Sequence, residues 1–210
     1  DPEKMKILGP YIDLCEKLGR LQAQIGEGGF TQIAVQYSGE ILHHEIKPLT
    51  IALLKGLLEP ILEREVNFVN APLIAQERGI NITESKVSKV EDFANLIMVQ
   101  AITEKGENVV AGTLLSKKEP RLVRIGEFDL DVIPEGYMLL CSNLDKPGVI
   151  GKIGTILGNR KINIAAMQVG RKTVGGKALT VINVDCNISK EVLKEIEEIP
   201  EIVEVKMVNL

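Results

Sequence analysis

Aromatic side chains are scarce in this sequence: they make up 3% of its 210 residues, and tryptophan is missing altogether. That shortage disfavours a stacking platform for single-stranded nucleic acid, which needs flat side chains along a groove. Histidine occurs only as the neighbours His43 and His44. Adjacent side chains on a helix or strand point in different directions, so they make an awkward shared metal site, and no nucleophile elbow accompanies them. The three cysteines, Cys15, Cys141 and Cys186, are widely spaced and form no C-x-x-C pair. Neither a zinc site nor a disulfide framework is signalled, and reduced, intracellular thiols are expected. The longest apolar stretch, residues 48–62, is interrupted by Lys55 and Glu59, and it is shorter than the roughly 20 residues that span a bilayer. Positive charge is not in excess either. With 25 basic and 29 acidic residues the net charge is -4, so no electrostatic footprint for a polyanion exists and neither nucleic acid nor membrane is expected as a partner.

What remains is a packed, globular composition, 45% apolar and 26% charged, on a chain long enough for two modules. The sequence opens on Asp1-Pro2 without a basic-then-apolar leader, which leads us to expect a piece of a longer cytoplasmic protein.

Residues 1–131 read as one α+β domain. Tyr11, Leu14, Leu18, Leu21 and Ile25 recur at helical spacing, with Pro10 suited to the first turn and Gly26 to the end. Beyond Gly28-Gly29, Ile33, Val35 and Tyr37 alternate with Gln32, Ala34 and Gln36, the period of a half-buried strand. Pro48 to Leu62 predicts a largely buried helix with Ile51, Leu54, Leu58, Ile61 and Leu62 near one stripe. Pro72 opens a short helix that Gly79 closes, and strand-like segments follow around Ile82, 96–102, 109–115 and 122–125. Helices followed by an antiparallel-looking meander argue against a doubly wound parallel sheet.

Asp131 to Gly136 reads as a connector, and residues 136–210 read as a second domain of order β-α-β-β-α-β. Its strands fall at 137–142, 163–169, 178–185 and 202–208. One helix carries Val149, Ile153 and Leu157, and another, capped by Ser189, carries Val192, Leu193 and Ile196. In the last strand Val203, Val205 and Met207 are expected to face the core. This is the split-βαβ, ferredoxin-like pattern.

Gly148, Gly151 and Gly154 follow the first of these strands. Their spacing is wrong for the dinucleotide fingerprint, and Pro147 occupies the turn. Close helix packing accounts for Gly151 and Gly154. Gly148 stands at the start of a helix, where free N–H groups and the helix dipole favour a carboxylate. A zwitterion could be held there, with its ammonium on Asp145 or loop carbonyls and an amide from Asn143 or Asn163 for a side-chain hydroxyl. Asp145 could equally cap the helix.

Asn143-Leu-Asp-Lys-Pro-Gly-Val-Ile-Gly151 and Ile162-Asn-Ile-Ala-Ala-Met-Gln-Val-Gly-Arg171 resemble the ACT domain of the D-3-phosphoglycerate dehydrogenase family. Leu18-Gly-Arg20, Gly56-Leu-Leu-Glu-Pro60, Val66-Asn-Phe-Val-Asn-Ala-Pro72 and Glu77-Arg-Gly79 resemble the intervening domain of its long form. The resemblance implies a regulatory portion with no cofactor of its own, NAD and the catalytic residues residing in the parent enzyme's other domains. It implies L-serine or another small amino acid as effector, at Asn143, Asp145, Gly148 and Asn163, and homo-oligomers joined through ACT domains. It also implies an anion, phosphate or 3-phosphoglycerate, on the intervening domain, for which Arg78 and Lys86 are the candidates among Lys89, Lys117, Lys118, Arg121 and Arg124. Serine-sensitive members often carry His-x-Asn where this chain has Asn143-Leu-Asp145, which exchanges donors for acceptors and adds a negative charge. Two rivals share parts of the pattern. The iron–sulfur L-serine dehydratase β subunit usually carries a Pro-Ser-Ser-Ser-His stretch that this chain lacks, and a free-standing ACT amino-acid sensor would use the same ACT residues.

Overall fold

Leu8, Tyr11, Leu14, Leu18, Leu21 and Ile25 recur every three or four residues, with Cys15 beside Leu14, and all are buried, as one face of a helix against a sheet must be. The computed structural model describes residues 2–88 and 92–210, with side chains from residue 5 onward, and places this stripe on α1 (Pro2–Ile25). Pro10 lies inside the helix and does not open it. Its ring removes a single backbone donor, and the buried stripe on both sides of it keeps the helix continuous. The helix closes where the Gly26 N–H donates to Gln22 O at 2.9 Å.

β1 (Phe30–Gly39) buries Ile33, Val35 and Tyr37, as their alternation predicts. α2 (Lys47–Leu58) has Pro48 in its first turn. It ends before the predicted Leu62 because Pro60 has no N–H to extend the ladder, and the chain leaves through a 3-10 turn at Glu59–Ile61. Ile61, expected on the buried stripe, is therefore 41% exposed. α3 (Ala71–Glu77) carries Pro72 at its start. Then come β2 (Asn81–Val87), β3 (Asn95–Thr103), β4 (Gly106–Leu115) and β5 (Glu119–Ile125), and the strands lie in the order β2-β1-β3-β4-β5.

The expected antiparallel meander holds for β3 to β5 only. β2 pairs parallel with β1, Gln32 opposite Asn81, while β3 pairs antiparallel with the other edge of β1, Gln36 opposite Met98. α2 and α3 carry the chain between β1 and β2, and a crossover of that length lets two strands run the same way.

α1 and α2 cross at glycines. A Cβ on Gly19 would sit 2.1 Å from Leu53 O, and one on Gly56 would sit 2.0 Å from Glu16 O. Beside the crossing Arg20 donates to Glu59 at 2.7 Å and to Glu16 at 3.2 Å, and Lys55 also reaches Glu16. Two of the sequence motifs, Leu18-Gly-Arg20 and Gly56-Leu-Leu-Glu-Pro60, thus meet as a contact between helices.

The chain divides into two compact units between Glu127 and Phe128, just upstream of the sequence-based boundary at residue 131. β6 (Phe128–Val132) falls in the second unit, where it runs beside Gly170. The rest of that unit is β7 (Tyr137–Leu144), α4 (Val149–Asn159), β8 (Ile164–Arg171), β9 (Lys177–Val184), α5 (Lys190–Glu197) and β10 (Ile202–Asn209). The strand order is β10-β7-β9-β8 with every neighbour antiparallel, the βαββαβ arrangement of an ACT-like fold. Leu139, Cys141, Ile182 and Val184 of the sheet pack with Val149, Ile153, Leu157, Val192 and Ile196 of the helices. Ser189 Oγ accepts from Val192 N at 3.5 Å and caps α5.

One alternation fails. Val203, expected in the core, is 70% exposed, because the register between β10 and β7 shifts between Ile202 and Glu204. The extra residue of a bulge turns outward and restores Val205 and Met207 to the core. Among the described residues, no helix is long and apolar enough to cross a membrane.

Candidate effector site

β7 ends in a polar corner. Asn143 is buried, its Oδ1 accepts from Thr180 Oγ1 at 2.9 Å, and its Nδ2 donates to Leu144 O at 2.9 Å. Both ends of its amide are therefore engaged, and it fixes the floor of the corner. The chain then leaves the sheet through Asp145. Asp145 N donates to Gly176 O at 2.8 Å, and its Oδ2 accepts from Arg171 Nη1 at 2.7 Å and from Gly175 N at 3.3 Å. The Arg171 guanidinium first, and the Gly175 N–H second, hold the Asp145 carboxyl below its ordinary value.

This corrects the helix-capping alternative for Asp145. The α4 N-cap is Gly148, with φ +91 and no side-chain cap. A left-handed residue there turns the chain sharply, a conformation that costs glycine little and other residues more. The helix start is left open: Val149 N reaches Lys146 O only at 3.4 Å, and among the described residues no acceptor meets the N–H groups of Ile150 and Gly151. Asp145 lies three residues before the Gly148 N-cap, close in the chain to these donors and to the positive end of the α4 dipole, and its Oδ1 meets no donor among the described residues. Open N–H donors and an unengaged carboxylate oxygen are thus supplied by one short stretch of chain. The close packing expected of Gly151 and Gly154 is absent, for a Cβ on either would meet nothing within 4 Å.

Asn163 is elsewhere. Asn143 lies opposite Ala178, whereas Ile164 lies opposite Val184, six residues further along β9. At about 3.4 Å per residue, Asn163 stands roughly 20 Å from Asn143, at the other end of the sheet. Its Nδ2 donates to Asp185 Oδ2 at 2.8 Å. One chain therefore brings Asn143, Asp145 and Gly148 together and leaves Asn163 apart.

Arg171, Gly175 and Thr180 belong to the corner and were not singled out from the sequence. A signal existed in the strand ladder, since Arg171 and Asn143 both lie opposite Ala178 on adjacent strands, one row across the sheet. Position in the chain alone does not show such a row.

On the first unit, Arg78 is the C-cap of α3 and lines a cavity of about 440 Å³ together with Gly28, Gly29 and Glu104. Lys86 does not join it. It lies opposite Tyr37 on β2, five residues beyond Asn81, roughly 17 Å along an extended strand. Lys89 lies outside the described residues. Lys117 pairs with Glu40 at 3.3 Å and Arg121 with Glu119 at 3.4 Å, so the basic residues do not converge on one point.

The glycine run of α4 does not suit NAD. Both neighbours of β7 are antiparallel to it, whereas a dinucleotide lies in the crevice of a parallel βαβ unit. Among the described residues no group of three or more His, Cys, Asp or Glu could hold a metal ion. Cys15 and Cys141 are free and buried, and burial pushes both thiols up, Cys141 to about 12.

An antiparallel βαββαβ sheet with an open helix start, in a chain that also carries a separate α+β unit, defines a two-unit protein whose second unit has an ACT-like fold. Residues 7–126 match the D-3-phosphoglycerate dehydrogenase intervening domain, and residues 137–201 match the ACT domain. The chain belongs to the D-3-phosphoglycerate dehydrogenase intervening-domain family and carries an ACT domain behind it. It is similar to D-3-phosphoglycerate dehydrogenase of Methanocaldococcus jannaschii, 38% identical over 99% of this chain and 39% of that protein. The enzymes of the same name from Synechocystis, 39% identical over 94% of this chain and 36% of that protein, and from Bacillus subtilis, 37% identical over 96% of this chain and 38% of that protein, are similar too. The chain thus spans about two fifths of the length of these relatives.

Proposed function

We propose that this chain is the regulatory region of a cytoplasmic D-3-phosphoglycerate dehydrogenase, the NAD-dependent enzyme at the head of L-serine synthesis, and that its ACT unit binds a small amino acid, L-serine foremost. The observation that carries this reading is the open start of α4 beside Asp145. The N–H groups of Ile150 and Gly151 receive the carboxylate, and Asp145 Oδ1, left over from the Arg171 pair, receives the ammonium. NAD and the chemistry belong to the parent's catalytic domains.

Asn163 completes this site from a second copy. β8 is an edge strand, and its Met167 and Val169 are 40% and 41% exposed. Two such edges joined antiparallel around a two-fold axis set the beginning of one β8 against the end of the other. Asn163 of one copy then comes to the Asp145 corner of its mate, where it offers an amide to a side-chain hydroxyl. The intervening domain adds a second ligand point at Arg78, where an anionic group pairs with the guanidinium. Ligands at either point act on the catalytic domains by favouring one arrangement of the regulatory units, to the extent that they bind it more tightly than the other.

Calorimetric titration of this chain with L-serine, with D-serine and glycine as controls and molecular mass measured alongside, tests the reading. Stereospecific binding to a dimer that weakens in Asn163→Ala supports it. A monomer that releases no heat with any of the three amino acids rejects it.

A further inference from the structure

The cavity beside Arg78 is lined by one charge of each sign, Arg78 and Glu104. The Arg78 guanidinium makes no hydrogen bond or ion pair with any described residue, although the residue lines the cavity wall. Glu104 lines the same cavity, and its Oε2 accepts a long 3.4 Å bond from Gly29 N while Oε1 meets no donor among the described residues. The two side chains share the space without pairing with each other. Phe30, Ile61 and Ile80 add an apolar wall. Lys105 passes its stem along Gly28 but does not line the cavity.

This charge arrangement discriminates among ligands. A phosphate carries close to two negative charges at neutral pH. Here it would meet one guanidinium and one carboxylate, so attraction and repulsion offset each other, and Lys86 is too far along β2 to add a second cation. A molecule with a carboxylate at one end and an ammonium at the other satisfies both walls at no net charge cost. We infer that the intervening domain binds a small zwitterion with an aliphatic side chain in this cavity, its carboxylate on Arg78, its ammonium on Glu104 and its side chain against Phe30, Ile61 and Ile80. The inference rests on the reading of Arg78 as the second ligand point and gives that ligand a chemical class, an aliphatic α-amino acid.

The test is a backbone-amide NMR titration of the whole chain with four probes: L-valine, isovalerate, L-valinamide and inorganic phosphate. Isovalerate lacks the ammonium and valinamide lacks the carboxylate. L-valine is expected to shift the amides of Gly28, Gly29, Gly79 and Glu104. Its affinity should fall about tenfold in Arg78→Gln and about tenfold in Glu104→Gln, since each variant removes one charge-assisted contact. Both positions are exposed, and an otherwise unchanged amide spectrum shows that the variants fold. If phosphate or isovalerate binds as tightly as L-valine, and Glu104→Gln strengthens it, the site takes anions; Arg78 then stands as an anion point and the zwitterion inference is overturned. Should none of the four probes shift these amides, the cavity is solvent space and both readings of Arg78 fall. Shifts confined to Ile150, Gly151 and Asn163 place the ligand on the ACT unit and likewise overturn the inference.

Discussion

Gly19 and Gly56 lie at one backbone-to-backbone crossing: a Cβ on Gly19 would lie 3.1 Å from the carbonyl carbon of Gly56, and one on Gly56 would strike the backbone of Glu16, three residues before Gly19. The contacts are backbone to backbone, so no side chain can swing aside to relieve them. Either helix must move if a methyl group is added, and the buried Leu18, Leu53 and Leu57 must move with it.

Gly19→Ala and Gly56→Ala are therefore expected to destabilise the first unit by about 1–3 kcal/mol each, the usual cost of overpacking. Thermal unfolding followed by circular dichroism checks this. An unchanged melting temperature in both variants would show that the crossing is looser than the backbone distances say.

A buried hydroxyl pair supports the same helix. Tyr37 Oη and Thr50 Oγ1 lie 2.8 Å apart, and Thr50 in turn donates to Glu84. Thr50→Val keeps the shape and strands the Tyr37 hydroxyl, at a cost of about 1–3 kcal/mol. Denaturation of Thr50→Val in a Tyr37→Phe background provides the control, because removing both partners should cost less than the sum of the two single changes.

The Asp145 pair makes a prediction in pH. Its carboxyl is depressed in the folded protein, so the stabilisation it gives the 171–177 hairpin is present above the unfolded carboxyl value and is lost as pH falls through the folded one. Carbon-13 titration of Asp145 should show an upward move of its midpoint in Arg171→Gln. A midpoint that stays put would assign the depression to Gly175 N–H instead.

If Asn163 serves a neighbouring copy, two defective chains can repair each other. Asn163→Ala and Asp145→Ala should each bind L-serine poorly when pure. A mixed dimer carries one site with both lesions and one with neither, so co-refolding an equal mixture should recover stereospecific binding in a fraction of the molecules. Absence of any recovery, with mixed dimers shown by mass, argues that each site is built within one chain.

Thiol chemistry should single out one residue. Cys186 is exposed, while Cys15 and Cys141 are buried and held as thiols by desolvation. One equivalent of a maleimide should react quickly with the native protein and three after unfolding, as intact mass will show.

The sequence made the second unit almost wholly legible, because its apolar periods are local: Val149, Ile153 and Leu157 mark a helix whatever lies beyond them, and Ser189 announces the next. Val203 was misread because a bulge is a property of two strands, Ile202 to Glu204 against β7, and one strand does not display it. The first unit was legible as elements and not as pairings. Nothing near Ile82 reveals that its neighbour is Ile33 and that the two run in the same direction. The site shows the same limit. Asn143, Asp145 and Gly148 came out together because they are close in the chain, whereas Arg171 came within reach of Asp145 only through the strand ladder, and Asn163 moved away for the same reason.

β2 joins its sheet along one side only, through a parallel partner whose pairing closes a loop from Gln32 to Asn81. The chain entropy of closing that loop must be met before any of its ladder bonds forms, while β3, β4 and β5 zip together through short turns. Its residues are nearly all exposed besides. Amides of β2 should accordingly exchange with deuterium well before those of β3 and β4, making this edge the thermodynamically soft margin of the first unit. Arg78 stands just ahead of that margin, so a molecule held there would tighten it and leave its mark as slowed exchange along β2.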